Sequence, residues 1–248
     1  MERRHVKRQS QQQATGAQPR EAVTKSRAPR PRHRMAPHDR ERLILDNAFR
    51  FFAERGLAGE TRELARRLGV TQSLIYRYFP SKDVLIDRVY DKWFTEYWDP
   101  AWADWISERR LNLEERLLAF YRDYVRLVHN YEWVRLFAFS GLDGLPHHVR
   151  FVARNRKEIF PHIARELRRD HGMPNFDEIP LTEFEHDVIW SLHATQFYVG
   201  QRRWLFGLST PRDVNEVVAT RVHSFVTSAP ALIGAHLATL KAKRPASG

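Results

Sequence analysis

The chain has no cysteine among its 248 residues, which excludes disulfides, thiol nucleophiles and cysteine-based zinc sites. It has no apolar run approaching the ~18 residues of a membrane-spanning helix, and no secretory apolar segment. Zincin motifs, phosphate-binding loops and dinucleotide fingerprints are absent as well, and no internal repeat stands out. Acidic residues are scarce at one end. Residues 1–38 hold ten Lys and Arg against only Glu2 and Glu21, so this stretch carries +8 of the chain's net +11. These absences lead to the expectation of a soluble cytoplasmic protein with no membrane partner, no cofactor and no metal. The charge favours a polyanionic partner.

The same first 38 residues are rich in Gln, Ser, Ala, Pro and Arg and poor in large apolar groups, so they cannot bury enough surface to offset chain entropy. A disordered basic tail is expected there. It reads either as an arm that adds phosphate contacts or as a solvated extension ahead of an internal start at Met35.

Beyond the tail the pattern is helical. Residues 39–54 place Ile44, Ala48, Phe51 and Phe52 on one stripe ending at Gly56. Thr61–Leu68 has Leu64, Ala65 and Leu68 on one face, and Gly69 closes it where a positive φ is needed. Thr71 can then cap a second short helix. Leu74 and Ile75 face inward, while Gln72, Ser73, Tyr76, Arg77 and Tyr78 stay outside. Pro80 stops that helix and Ser81 starts another, with Asp83 in its first turn. Two short helices around a tight Gly-bearing turn make a helix-turn-helix, and no carboxylate lies between Thr71 and Ser81 to repel phosphate.

The segment 43–85, with LILDNAFRFFAERG followed by RELARRLGVTQSLIYRYFPSKDVL, resembles the DNA-binding domain of the tetracycline-repressor (TetR) family. The likeness is most specific at Gly69-Val70-Thr71, Leu74-Ile75-Tyr76, Tyr78-Phe79 and Ser81-Lys82. It implies that Gln72, Ser73 and Arg77 lie closest to base edges, and that Thr71, Tyr76, Tyr78 and Lys82 hold phosphates. The chain departs from the family pattern at Gly59-Glu60-Thr61, where members usually carry a Thr-Thr or Thr-Ser pair and an apolar residue.

All seven tryptophans lie beyond residue 88, in a region of long helical patterns. The expected architecture is all-α: the tail (1–38), a three-helix helix-turn-helix DNA-binding domain (39–88), and a larger helical-bundle domain for ligand binding and dimerisation (89–248). Within the last, helices are expected from Lys82 towards Tyr97, over Leu113–His129 and over Tyr131–Leu142. A single helix over 149–170 is expected to kink at Pro161, and further helices are expected over Thr182–Phe206 and Asp213–Ser228. Pro230 is expected to open a separate short terminal helix.

The resemblance further implies a homodimer formed through the last two long helices, a palindromic operator on double-stranded DNA, and a partly apolar small-molecule effector. The candidates for effector contact are Tyr121, Tyr124, Trp133, Phe137, His162, Trp190, His193 and Phe197, since aromatic rings with a few polar groups suit such a pocket. The stripes Val188, Leu192, Val199 and Val214, Val218, Val222, Phe225 fit a dimer seam or the chain's own core equally well.

Two other functional classes compete with a regulator. Glu183 with His186 and Glu158 with His162 each bring a carboxylate near an imidazole, but a di-iron bundle needs two Glu-x-x-His motifs and two more glutamates. His186 and His193 are two turns apart, too far to chelate one ion. The closer rival is a basic, non-specific nucleic-acid-binding or architectural protein driven by the tail. The expected function is therefore a sequence-specific transcriptional regulator, a repressor released by its effector, and not an enzyme.

Overall fold

The computed structural model describes residues 35–243 except position 97. Eleven α-helices and one π-helical segment make up the regular structure among these residues. From Ala36 onward the chain forms one compact unit. Residues 1–34 of the tail expected over 1–38 lie outside the described residues, and the first helix begins at Pro37, so its first two residues fall within the stretch read as tail.

Helix α1 (Pro37–Arg55) starts on a proline, whose missing N–H costs nothing in a first turn, and buries the expected stripe of Ile44, Ala48, Phe51 and Phe52 together with Leu45, Phe49 and Ala53. Each large apolar side chain removed from water contributes roughly 1.5–3 kcal/mol. Helices α2 (Thr61–Leu68) and α3 (Gln72–Tyr78) come next, then α4 (Lys82–Tyr90). Gly69 sits at φ 65°, ψ 31°, the left-handed conformation that only glycine adopts without strain, and its N–H and that of Val70 close the end of α2. The Thr71 hydroxyl accepts from the Leu74 amide, and the Ser81 hydroxyl from the Val84 amide, so both expected caps are in place.

Beyond α4 the structure departs from three expectations. The fourth helix does not run on as one α-helix towards Tyr97: it changes at Asp91 into a π-helix over Asp91–Glu96, where Phe94 is buried and Phe49 stacks on Trp93 at 4.0 Å. The wider turn feeds this aromatic packing, and π-turns of this kind interrupt helices locally. After α5 (Trp102–Ser107), α6 (Leu113–Val128) and α7 (Tyr131–Leu142), the helix expected over 149–170 is two helices, α8 (His147–Glu158) and α9 (Phe160–Asp170). Pro161 breaks rather than kinks it, because it occupies the first turn of α9, where an amide is dispensable, and Ile159 between the two is buried. Finally, after α10 (Glu183–Trp204), the last helix α11 (Val214–Lys243) runs straight through Pro230. Burial of Phe225, Ala229, Ile233 and Leu237 along one stripe holds that helix against the lost hydrogen bond.

One hydrophobic core joins these helices, running from Ile44 in α1 to Leu237 in α11. Two buried ion pairs pin α9 within it. Arg116 of α6 reaches Glu166 at 2.7 Å, and Arg168 reaches Glu185 of α10 at 2.5 Å. Arg168 also donates to the carbonyls of Pro174 and Ile179, fixing the expected loop after Gly172. Gly200 lets α10 press against α7, since a Cβ there would lie 2.9 Å from Val134 Cγ2. No helix among the described residues is long and apolar enough to cross a membrane.

Candidate nucleic-acid interface and aromatic cleft

Helix α3 buries Ile75 completely and Leu74 partly, which turns Ser73, Tyr76 and Arg77 outward; Gln72 and Tyr78 are half-buried. No acidic side chain stands on the helix. Ser73 shares a hydrogen bond with the Thr71 hydroxyl at 3.0 Å. Lys82 is half-buried in the first turn of α4, where the helix amides already favour an anion. The seven residues singled out for DNA contact thus lie along one short stretch around α3 and the start of α4.

Thr61 is the residue whose role the sequence did not disclose. It is 4% exposed, the first residue of α2, and its hydroxyl accepts from Gln72 Nε2 at 2.7 Å while sharing a second hydrogen bond with Tyr76 Oη at 2.9 Å. Helix α3 is therefore clamped to the preceding helix through the side chains of Gln72 and Tyr76. The signal was the departure from the family pattern, a hydroxyl where an apolar residue usually stands. Glu60 at the cap is exposed and makes no side-chain capping bond.

The second candidate set divides into three. Phe137, Trp190 and Phe197 line an open cleft of about 380 Å³ between α7 and α10, with Tyr198 and Gln201 at its rim. Trp190, Ala194, Phe197 and Gln201 recur at helical spacing, so Ala194 and Gln201 were recoverable from the same stripe. Tyr121, Tyr124, Trp133 and His193 are buried beneath, each at most 1% exposed. Tyr124 Oη and His193 Nε2 share a 2.9 Å hydrogen bond, and His193 packs 5.4 Å from the Phe197 ring. His162 stands apart, bonded through Nδ1 to Ser107 Oγ at 3.0 Å.

This buried layer is unusual in its polar atoms. Tyr121 Oη, Trp133 Nε1, Asn155 Oδ1, His193 Nδ1 and Gln196 Oε1 have no hydrogen-bond partner among the described residues. Each such orphan costs about 1–3 kcal/mol. Burial pushes the His193 imidazole down to about 3 and the hydroxyls of Tyr121 and Tyr124 up, so all three are neutral at physiological pH. No cluster of three or more His, Asp or Glu able to hold a metal ion occurs among the described residues.

The family described as bacterial regulatory proteins of the tetR type matches residues 44–89, from within α1 to the last turn of α4. Among solved structures, a tetR-family transcriptional regulator from Streptomyces coelicolor is 22% identical, with a TM-score of 0.56 over 86% of this chain and 93% of that one. A TetR-like regulator from Rhodococcus sp. RHA1 is 18% identical, with a TM-score of 0.54 over 80% and 99%. A TetR-family regulator from Pseudomonas syringae pv. tomato is 20% identical, with a TM-score of 0.51 over 77% and 96%. At these identities the structural likeness speaks to the fold, and the family match speaks to residues 44–89. Residues 44–89 thus carry the helix-turn-helix of the tetR family of bacterial regulatory proteins, on a fold shared with TetR-family transcriptional regulators.

Proposed function

We propose that the protein is a homodimeric repressor that binds a palindromic operator and is released by a small molecule held in the domain after residue 88. The observation that carries the operator-binding part is the α3 face: Ser73, Tyr76 and Arg77 exposed on a helix without a carboxylate, with Gln72 poised beside them and Lys82 at the next helix start. In this reading Gln72, Ser73 and Arg77 meet base edges, while Thr71, Tyr76, Tyr78 and Lys82 hold phosphates.

Dimerisation through α10 and α11 is supported by the composition of α11. From Val222 to Leu240 it carries no Asp, Glu, Lys or Arg, and its exposed positions include Ser224, Ser228, Ala231 and Leu232, small or apolar side chains that let a second helix approach closely. A two-fold pair of helix-turn-helix units reads two half-sites, which a single unit cannot.

Release is supported by how the cleft joins the reading head. Helix α7 carries Phe137 and Trp133, and on the same helix Arg135 Nε donates to the Ala53 carbonyl at the end of α1 at 2.5 Å. Tyr90 of α4 donates to the Leu136 carbonyl at 2.7 Å. A ligand that moves α7 therefore pulls on α1 and α4 together, shifting the population away from the DNA-competent spacing.

The test is fluorescence anisotropy of the full-length protein, and of a version starting at Met35, on DNA from the gene's own upstream region with excess competitor. Competitor-resistant binding by both supports the operator reading. The +8 charge of residues 1–38 favours the non-specific architectural reading instead, and binding that needs those residues and vanishes under competitor would establish it.

A further inference from the structure

The effector reading leaves the ligand's chemistry open, and the buried layer under the cleft narrows it. Phe197 forms the floor of the cleft, and its ring lies within 5.9 Å of Tyr124, Trp133 and His193. Trp190, on the cleft wall, lies 5.5 Å from His193. Trp133 and His193, two of the side chains with unpartnered polar atoms, are therefore one ring away from the open space, and Tyr121 packs behind His193.

Those atoms comprise donors and acceptors. Trp133 Nε1 can only donate, Asn155 Oδ1 and Gln196 Oε1 can only accept, and Tyr121 Oη can do either. All five carriers are at most 1% exposed, and Tyr121 and His193 are 5.9 Å apart ring to ring. Among the described residues, no ammonium, guanidinium or carboxylate lines the cleft or joins this layer. On α11 the Arg221 guanidinium donates to the backbone carbonyl of Thr195, a residue that itself lines the cleft.

We infer that the cleft between α7 and α10, deepened by displacement of Phe197, takes an uncharged ring-bearing molecule with hydroxyl or carbonyl groups, and discriminates against organic anions and cations of the same shape. A ring system replaces aromatic packing with aromatic packing, so opening the layer loses little contact. A hydroxyl or carbonyl on that ring satisfies groups that have no partner, whereas a charge would be buried without a counter-charge. This rests on the effector reading for its regulatory meaning, but the binding site stands on the side chains alone.

The matched probes are naphthalene, 2-naphthol, 2-naphthoate and 2-naphthylmethylammonium, which share one ring system and are small enough for a cleft of about 380 Å³. They are titrated at neutral pH into the full-length protein, with tryptophan fluorescence and calorimetry as readouts. The expected result is that 2-naphthol binds at least about tenfold more tightly than either charged probe and more tightly than naphthalene. In Tyr121→Phe, which keeps the ring and removes an unpartnered hydroxyl, the preference for 2-naphthol over naphthalene should shrink while naphthalene affinity holds. A merely structural hydroxyl would change stability and leave that ratio alone. His193→Phe gives a second, independent measure of the same ratio. Equal or tighter binding of a charged probe, a ratio unchanged in both variants, or no binding of any probe would overturn the inference. The same titration on DNA-bound protein separates the two readings: 2-naphthol binding without loss of DNA affinity keeps the ligand class and defeats the effector role.

Discussion

Thr61 and Tyr76 share a hydrogen bond of 2.9 Å across the helix-turn-helix, and the same threonine hydroxyl accepts from Gln72 at 2.7 Å. One buried oxygen thus holds the orientation of two side chains on the reading helix. Thr61→Val keeps the volume and removes both bonds, at about 0.5–1.5 kcal/mol each. The expected outcome is a modest fall in melting temperature with several-fold weaker operator binding, because Gln72 and Tyr76 must then be ordered on the DNA. Unchanged affinity in an anisotropy titration would show that the clamp serves folding alone.

Base reading and phosphate holding predict different salt behaviour. Lys82→Ala removes one cation, so binding should weaken on all sequences and the slope of log affinity against log salt should fall by about one. Gln72→Ala leaves the slope and instead narrows the gap between operator and mutated operator. Titrations at several salt concentrations on both DNAs check this. Identical effects of the two substitutions would mean the assignment of roles along α3 is wrong.

Acid should destabilise the protein through its buried histidine. Burial lowers His193 to about 3, whereas an unfolded imidazole takes its proton near 6.5. Between those values the unfolded chain binds more protons than the folded one, so stability is complete above about pH 6.5 and falls as pH drops, by up to about 1.4 kcal/mol per unit. Burial lowers His129, His147, His162 and His186 as well, and they act in the same direction. Melting temperatures at pH 7.5 and 5.5 should therefore differ, and the difference should be smaller in His193→Phe by roughly 3–6 °C. An equal drop in both proteins would exclude His193 as a contributor.

The Arg168–Glu185 pair should be costly to break singly. Burial pulls the Glu185 carboxyl upward, but hydrogen bonds from Arg168 and Thr182 overcome this and hold it below the usual carboxylate range. Arg168→Met strands a buried carboxylate and frees the loop carbonyls, at about 3–5 kcal/mol. The double change Arg168→Met with Glu185→Leu should recover a large part of the loss in a denaturant titration, while a double variant no more stable than the single would point to the loop carbonyls as the greater cost.

Helices α1 to α3 and the start of α4 were legible because local signals decide them: Gly69 needs a left-handed turn, Thr71 caps α3 and Ser81 caps α4, and Ile44, Ala48, Phe51 and Phe52 form one stripe. Where the local pattern misled, tertiary packing outweighed it. Pro161 and Pro230 carry the same local signal, yet one begins a helix and the other lies inside one; buried stripes flank both, Phe151, Ile159, Ile163 and Leu167 around Pro161 and Phe225, Ala229, Ile233 and Leu237 around Pro230, so neither the residue nor the stripe tells them apart. The aromatic candidates were the right kind of residue, but core and pocket share composition. Phe137, Trp190 and Phe197 reach the cleft while Tyr121, Tyr124, Trp133 and His193 lie under it, and sequence spacing does not carry that depth.

The dimer seam can be tested at Leu232, which is 52% exposed on α11 and lines a groove with Val188, Ser191 and Ser228 between α10 and α11. An exposed leucine alone would mean little. Here it stands on a helix that carries no Asp, Glu, Lys or Arg for 19 residues, from Val222 to Leu240. Leu232→Lys there leaves the monomer's core untouched, since Ile233 and Leu237 point the other way and are buried. In a dimer it would set two ammonium groups against apolar neighbours near the two-fold axis. Analytical ultracentrifugation should then show a monomer that keeps its helical circular dichroism. Operator affinity should fall at least about tenfold, because two half-sites are no longer bound as one unit. A variant that remains dimeric and binds normally would place the seam elsewhere and return the α10 and α11 stripes to the chain's own core.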